Sequence, residues 1–141
     1  MEYRKFNDTY VLRLNKGEEV ISCLQEICKC ENIKLAEVTG LGASDLIEIG
    51  VFNVNTKIYN TKIFEGMFEI TSLVGNVTRK NGEVYLHLHI NFGDEDGIVK
   101  GGHLVKSRIS ATSEIIVRKI EGEIERKLNE DIGLNLLNFS E

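Results

Sequence analysis

The residues best suited to chemistry are the three histidines of the chain, His87, His89 and His103, which fall within one short segment. One residue separates the first two, and apolar residues alternate with them along the segment: Val84, Leu86, Leu88 and Ile90. Such alternation is typical of a β-strand with one buried face. Both imidazoles of the pair should therefore project together from the opposite face.

Three imidazoles that meet at one point can bind a divalent transition metal, because a neutral imidazole keeps a nitrogen lone pair at physiological pH. The flexible pair Gly101-Gly102 precedes His103 and predicts a turn that returns this side chain to the face of His87 and His89. Three protein ligands leave a fourth coordination position open for water or another molecule. Zinc is the first candidate metal. Nickel, copper and iron stay open, as does a purely structural role in hydrogen bonding.

Composition limits the class of protein. The chain has 141 residues, of which 42% are hydrophobic and 28% charged, and its net charge is -5 at pH 7. This length predicts a single globular domain over residues 1–141. The negative charge disfavours, without excluding, direct binding of the isolated domain to the phosphate backbone of DNA. The residues after Met1 lead into no hydrophobic segment, so we expect no signal peptide, no membrane contact and a cytoplasmic location.

Apolar periodicity predicts the elements that must position the histidines. One amphipathic helix should begin at Glu18-Glu19 and end near Asn32. Strands are expected at about seven places: residues 9–14, 35–39, 46–52, 57–64, 65–76, 84–90 and 109–120. Asn81-Gly82 predicts a type I′ hairpin that makes residues 72–77 the antiparallel neighbour of the histidine strand. The fold class is therefore α+β, with a mainly antiparallel, two-layered or barrel-like sheet and one long covering helix.

Other potential metal ligands are weaker candidates. Cys23, Cys28 and Cys30 all fall in the predicted helix, and their spacings match no zinc-finger or redox motif. We interpret Cys28 as a core residue and the other two as ordinary free thiols. The acidic loop 93–97 could supply a carboxylate to a metal, although such loops are more often solvated turns. The glycine-rich residues 40–43 follow a strand without opening a helix, which indicates a tight connection and not a phosphate-binding loop.

A series of short motifs gives the chain a family resemblance. In order, they are Gly17-Glu18-Glu19, Thr39-Gly40-Leu41-Gly42-Ala43, Gly66-Met67-Phe68-Glu69-Ile70, Gly75-Asn76, His87-Leu88-His89 and Gly101-Gly102-His103. Over nearly the whole chain this series resembles the PPC domain, which is shared by plants and prokaryotes. The resemblance implies a helix packed on an antiparallel sheet, assembly as a homotrimer, and a three-histidine metal site like that of stand-alone prokaryotic members.

The resemblance also implies possible partners. Plant members follow AT-hooks in nuclear proteins that bind AT-rich DNA, and prokaryotic members are labelled as predicted DNA-binding proteins. The chain contains no Arg-Gly-Arg-Pro AT-hook, which would supply a basic arm for the minor groove. The plant segment that contributes to partner binding corresponds to residues 66–70, where Met67 replaces the plant arginine. This substitution weakens the transfer of the plant contact to this chain.

Three functions compete at this point. The first is a trimeric metal-binding domain that acts as a regulatory or ligand-binding module. The second is a DNA-binding or transcription-associated regulator, which would need a trimer face that concentrates the basic residues Lys100, Lys106, Arg108 and Arg118. The third is a metal-dependent enzyme of unknown substrate, a role that we expect less than the other two. Salt dependence would separate the second function from the others, because binding driven by phosphate contacts weakens steeply with salt.

In the enzymatic alternative, a carboxylate near the metal would serve as the general base. Glu69 is the first candidate because it belongs to the shared motif on a strand predicted to lie nearby, although an acidic residue on a strand more often pairs with a cation or a backbone group. Tyr85 and Asn91 should share the histidine face by alternation. We therefore expect Tyr85, Asn91 and Glu69 to line the pocket.

Overall fold

The structure is a computed structural model that describes residues 1–140, so that Glu141, the last residue of the predicted domain, lies outside the described residues. One helix, α1 (Val20–Cys30), accompanies eight strands in the described chain. The strands are β1 (Glu2–Phe6), β2 (Thr9–Asn15), β3 (Ala36–Asn53), β4 (Ile58–Lys80), β5 (Glu83–Gly93), β6 (Val99–Lys119), β7 (Glu125–Asn129) and β8 (Leu134–Asn138). The predicted α+β class with a mainly antiparallel sheet is confirmed.

The helix α1 is fixed at its start by a side-chain cap. The Glu19 carboxylate accepts hydrogen bonds from the backbone N–H of Ile21 at 3.0 Å and of Ser22 at 2.8 Å, which satisfies two of the donors that a helix leaves free at its first turn. The apolar face of the helix is buried against the sheet: Val20, Cys23, Leu24, Ile27 and Cys28. The helix ends at Cys30, two residues before the predicted end at Asn32. Cys23 is a free thiol, as predicted, but it is buried in the core.

The sheet closes partly on itself. Strand β6 pairs with β2 and β3, β3 pairs with β4, and β4 pairs with β5, all antiparallel. Strand β5 then pairs with the first part of β6, which joins β3, β4, β5 and β6 into a ring. The last hairpin, β7 and β8, joins β4 through one parallel bridge between Arg79 and Glu125. This ring is the barrel-like element that sequence analysis proposed.

The strand assignment differs from the prediction in two ways, and the first is that glycine was interpreted as a strand end. Residues 40–43 were expected to connect two strands, but they lie inside β3 at bulges between Gly40 and Gly42 and between Ser44 and Leu46. A Cβ on Gly42 would lie 2.6 Å from the Ser113 Cα, so this glycine permits close contact with β6 and not a reversal. In the same way, β4 joins the predicted strands 57–64 and 65–76 into one strand. Three strands that the sequence analysis did not assign, β1, β7 and β8, account for the remaining difference.

The core lies inside the ring and beneath the helix. Strand β5 sends Leu88, Ile90 and Phe92 into this core, and each is no more than 1% exposed. Since successive residues of a strand point to opposite faces, His87, His89 and Asn91 lie on the outer face. The two faces of β5 therefore separate the packing of the core from the candidate chemistry. No helix of residues 1–140 is long and apolar enough to cross a membrane.

Candidate metal centre

The structure brings the three histidines together on the outer face of the ring. His87 and His89 lie on β5, and His103 lies on β6 directly opposite His89. One nitrogen from each imidazole lies within 4.8 Å of the other two. The ring centroid of His87 lies 5.2 Å from that of His89 and 5.4 Å from that of His103. Sequence spacing correctly predicted this cluster.

The route of the chain into the cluster differs from the prediction. Gly101 and Gly102 were expected to form a turn before His103, but both lie within β6 and pair with Asn91 and Ile90 of β5. The reversal occurs in residues 94–98, where Asp94 accepts a hydrogen bond from the Ile98 backbone N–H at 2.9 Å. Gly101 leaves room for the Asn91 side chain, because a Cβ at position 101 would lie 2.1 Å from the Asn91 Oδ1.

The β4–β5 hairpin sets the register of the histidine strand. Asn81 and Gly82 take positive φ angles of 53° and 78°, the conformation of the predicted type I′ turn. This register places Asn76 opposite His87 and Val74 opposite His89. The predicted pairing of residues 72–77 with the histidine strand is confirmed.

The surroundings keep two of the imidazoles neutral. Burial lowers the pKa of His87 to about 4, and the positive charge of Arg126 contributes to this shift. Burial also lowers the pKa of His103, with a smaller contribution from His89. Proton and metal compete for the same nitrogen lone pair, so a lowered pKa leaves the nitrogen free for a metal at neutral pH.

One buried nitrogen of the cluster lacks a hydrogen-bond partner. The Nδ1 atom of His103 is inaccessible to solvent and has no partner in the described chain. A buried polar atom without a partner costs about 1–3 kcal/mol, whereas a bond to a metal would satisfy an imidazole nitrogen. The donor set, three imidazoles and no carboxylate from the described residues, suits zinc and the neighbouring transition metals. The residues therefore fit a metal site.

Tyr59 on β4 is a neighbour of the cluster that sequence analysis missed as a site residue. Its ring centroid lies 5.5 Å from that of His103, and its ring fills the space where a Cβ on Gly50 would approach to 2.9 Å. Gly50 is the residue of β3 opposite His103. The absence of a side chain at Gly50 thus allows an aromatic wall to form beside His103. Alternation within one strand could not reveal this contact, since it depends on three strands.

Comparison with known proteins identifies the family of the chain. The family model of the Plants and Prokaryotes Conserved (PCC) domain matches residues 1–121. The chain belongs to the PCC-domain family. The resemblance stated from its motifs is thereby confirmed, and a search of curated protein sequences finds no match to the chain.

Solved structures of similar proteins include three that resemble this PCC-domain protein over nearly the full length. A candidate DNA-binding protein from Bacteroides thetaiotaomicron has 34% identity and a TM-score of 0.96, covering 98% of this chain and 96% of its own. A PPC protein from Pyrococcus horikoshii has 34% identity and a TM-score of 0.86, covering 99% and 95%. A metal-containing protein from Archaeoglobus fulgidus has 31% identity and a TM-score of 0.87, covering 97% and 95%.

Two of the predicted pocket residues of the PCC domain occupy the histidine face. The ring of Tyr85 lies 4.8 Å from the guanidinium carbon of Arg126, and Tyr85 is two residues from His87 on β5. The side-chain amide of Asn91 donates a hydrogen bond to the Ser72 Oγ at 3.0 Å. Both side chains thus flank the histidines along β5, one at each end.

Glu69 lies farther away than the prediction of a general base requires. It pairs with Gly93 of β5, four positions beyond His89, which corresponds to about 13 Å along the strand. Glu69 is instead part of a small pocket of about 160 Å³, formed with Met67, Phe68, Asp94 and neighbouring residues. The segment 66–70 of the PCC domain therefore forms a surface distinct from the histidine cluster, with Met67 exposed.

The other potential ligands also stay apart from the cluster. Asp94 of the acidic loop forms an ion pair with Lys100, with 2.6 Å between Oδ2 and Nζ. The three cysteines are all free thiols, and none belongs to the group of potential ligands. The loop is therefore a reversal of the chain stabilised by its own ion pair.

Proposed function

We propose that this PCC-domain protein is a cytoplasmic, homotrimeric metal-binding module in which His87, His89 and His103 hold one divalent transition metal, with zinc as the first candidate. The observation that supports this most is the approach of three imidazole nitrogens to within 4.8 Å of one another. Nitrogen ligands of a tetrahedral zinc ion lie about 3.3 Å apart. Small rotations of the three imidazoles would produce that spacing.

The metal would supply one coordination position for an exogenous ligand, since three protein ligands leave a tetrahedral ion incomplete. We infer a regulatory or ligand-binding role because no carboxylate of the described chain lies in the group of potential ligands, and Glu69 lies about 13 Å along the strand from His89. A carboxylate at the metal would serve as the general base of a metal-dependent enzyme. The metal-containing relative from Archaeoglobus supports the metal assignment.

We expect tag-free protein to contain about one transition metal ion per chain, and the double variant His87→Ala/His89→Ala to contain almost none. Two lost ligands leave one imidazole, which cannot retain zinc against dialysis. Elemental analysis per chain measures this. Cys30→Ser is the matched control, because it removes an exposed potential ligand outside the cluster. Equal metal content in the double variant and the wild type would refute the site.

The trimer, which the family resemblance implies, would use a row of residues on the histidine face that includes three exposed apolar side chains. Residues that pair directly across strands lie on the same face, and five such pairs connect one row: Val11, Ile116, Thr39, Val74, His89 and His103. Val11, Ile116 and Val74 are each more than 40% exposed. Exposed apolar residues that lie together on a sheet surface are typical of an interface. We infer that copies of the chain pack against this row beside the metal site.

We expect the wild type to be a trimer in solution, and Val74→Glu to shift it toward the monomer, because a buried unpaired charge at an interface is costly. Size-exclusion chromatography with light scattering gives the mass. Leu128→Glu replaces an equally exposed apolar residue outside the row and should leave the mass unchanged. A monomeric wild type, or a trimer that Val74→Glu does not weaken, would contradict this interface.

Direct DNA binding, which the Bacteroides relative's description suggests for that protein, finds less support in this chain. Three of the four basic residues considered above are engaged in ion pairs: Lys100 with Asp94, Arg108 with Asp45 and Arg118 with Glu37. Paired cations have less free charge to offer to phosphate groups. The metal-binding role is therefore the proposal that we favour.

A further inference from the structure

Arg126 is a buried cation that the proposed metal site does not use. It lies on β7, beyond the residues that the family model matches, and it is 8% exposed. Its guanidinium donates hydrogen bonds from Nε to the Thr78 Oγ1 at 2.8 Å, from Nη1 to the Asn135 carbonyl oxygen at 2.9 Å, and from Nη2 to the Asn76 Oδ1 at 2.9 Å. All three acceptors are neutral.

The charge of Arg126 has no counter-ion in the described chain. The ion pairs of residues 1–140 do not include it. Its contact with the face of Tyr85, at 4.8 Å, compensates only part of the cost of burying a charge. Burial accordingly lowers the pKa of Arg126. A fixed, partly uncompensated cation of this kind attracts an anion.

Two N–H groups of the guanidinium have no acceptor among the described residues. The group has five N–H donors, and the three hydrogen bonds above leave one on Nη1 and one on Nη2. Two donors on neighbouring nitrogens match the two oxygens of a carboxylate, or two oxygens of a phosphate, in a bidentate pair.

Arg126 lies on the histidine face beside the cluster. Its partners Thr78 and Asn76 alternate along β4 on the same face as Val74, and Asn76 is directly opposite His87. Cβ atoms of such opposite residues lie about 5 Å apart. The positive charge of Arg126 also contributes to the lowered pKa of His87, which agrees with this proximity.

We propose that Arg126 is an anion-binding residue of the site and that the natural ligand is a small molecule with a carboxylate or phosphate group, held by Arg126 beside the histidine cluster. The inference rests on the proposed metal site for the second contact, because a divalent ion on three neutral imidazoles would keep its full positive charge and attract a further oxygen of the ligand. The cation of Arg126 is present with or without the metal.

The test is isothermal titration calorimetry of the full-length protein with glycolate and, separately, inorganic phosphate, at constant ionic strength set by sodium chloride. We expect saturable binding of at least one probe to the zinc-loaded wild type, and a loss of affinity of about 10- to 100-fold in Arg126→Gln. Arg126→Lys keeps the charge without the planar pair of donors and should lose less. The two probes distinguish a carboxylate ligand from a phosphate ligand.

Arg79→Gln is the matched control. Arg79 is also a buried arginine of this region, but it adjoins Thr78 on β4, so it points to the opposite face and bonds the Ile33 carbonyl oxygen. Its replacement should leave probe affinity unchanged. Circular dichroism and zinc content, measured for each variant, verify that the fold and the metal are retained.

The outcomes separate this inference from the metal proposal. Equal affinity of wild type and Arg126→Gln, or no saturable binding of either probe to the wild type, overturns the role of Arg126 while the zinc content still supports the metal site. Wild-type protein that never takes up zinc refutes the metal site. Titration of that metal-free protein then tests Arg126 alone, with a weaker but Arg126-dependent affinity as the supporting result.

Discussion

Gly75→Ala is expected to lower the free energy of unfolding by about 3 kcal/mol and to reduce the metal content of the protein, because it forces β4 away from the histidine strand. A Cβ on Gly75 would lie 2.0 Å from the His87 carbonyl oxygen and 2.8 Å from the Leu88 Cα. Both atoms belong to the backbone, so no side-chain rotation can relieve the contact. Urea denaturation measures the stability change, and elemental analysis measures the bound metal.

Gly93→Ala is the control for this prediction. Gly93 lies at the end of β5, in the same pair of strands, and a Cβ there would approach nothing closer than 4.0 Å. The substitution should be neutral or stabilise the protein slightly, because alanine loses less backbone freedom than glycine on folding. If Gly75→Ala proved as stable as Gly93→Ala, with unchanged metal content, the register of β4 and β5 described above would be wrong.

Phe92→Ala is expected to lower the free energy of unfolding by about 3–5 kcal/mol, the largest effect that we foresee for a single core residue. The Phe92 side chain is fully buried, and the rings of Phe64 and Phe68 contact it edge-on, each with 5.2 Å between centroids. Loss of this ring leaves a cavity beside the two remaining rings of Phe64 and Phe68. Urea denaturation of the metal-free protein gives the change in stability.

The same variant also tests the separation between the two faces of β5. Phe92 points into the core, whereas His87 and His89 point outward, so Phe92→Ala should retain its metal at temperatures where it remains folded. Phe139→Ala, at a side chain that is 76% exposed, is the control and should change stability by less than about 0.5 kcal/mol. If Phe92→Ala lost no more stability than the control, Phe92 would not be a central packing residue of this core.

The segment 66–70, which the family resemblance associates with partner binding, has a structural role in this chain. Phe68 of residues 66–70 packs on Phe92, and the residues beside it, Met67 and Glu69, line the small pocket near Asp94. Core packing therefore explains the phenylalanine of the motif without any partner. A role of the exposed Met67 in binding another protein remains a proposal.

The amino-acid sequence by itself determined the family, the α+β class, the helix and the membership of the histidine cluster. The family followed from the order of its short motifs, whereas the other three depend on local regularities: alternation along β5, the helical spacing of the apolar residues of α1, and the Asn81-Gly82 turn. A strand has two faces, so alternation suffices to place His87 and His89 together. The correct grouping of His103 with them required only that the chain return to that face.

Glycine is where the local rules failed. Residues 40–43 and the pair Gly101-Gly102 were interpreted as reversals, because glycine tolerates the φ angles of turns. In the structure both segments are strands, in which the missing side chains make room for a neighbouring backbone or for the Asn91 side chain. A sequence records that a Cβ is absent but not which distant atom occupies its place.

Alternation along β5 placed Tyr85 and Asn91 beside the histidines, but only the tertiary structure decided which residues of other strands lie there. Tyr59 reaches His103 because Gly50 of a third strand leaves space for its ring, and Arg126 arrives from β7 through hydrogen bonds to β4 and β8. In the structure Glu69 pairs with Gly93 and therefore lies away from the cluster. Periodicity assigns a side chain to a face of its own strand, whereas contacts between strands depend on register and on ring closure, which are set by the packing of the whole sheet.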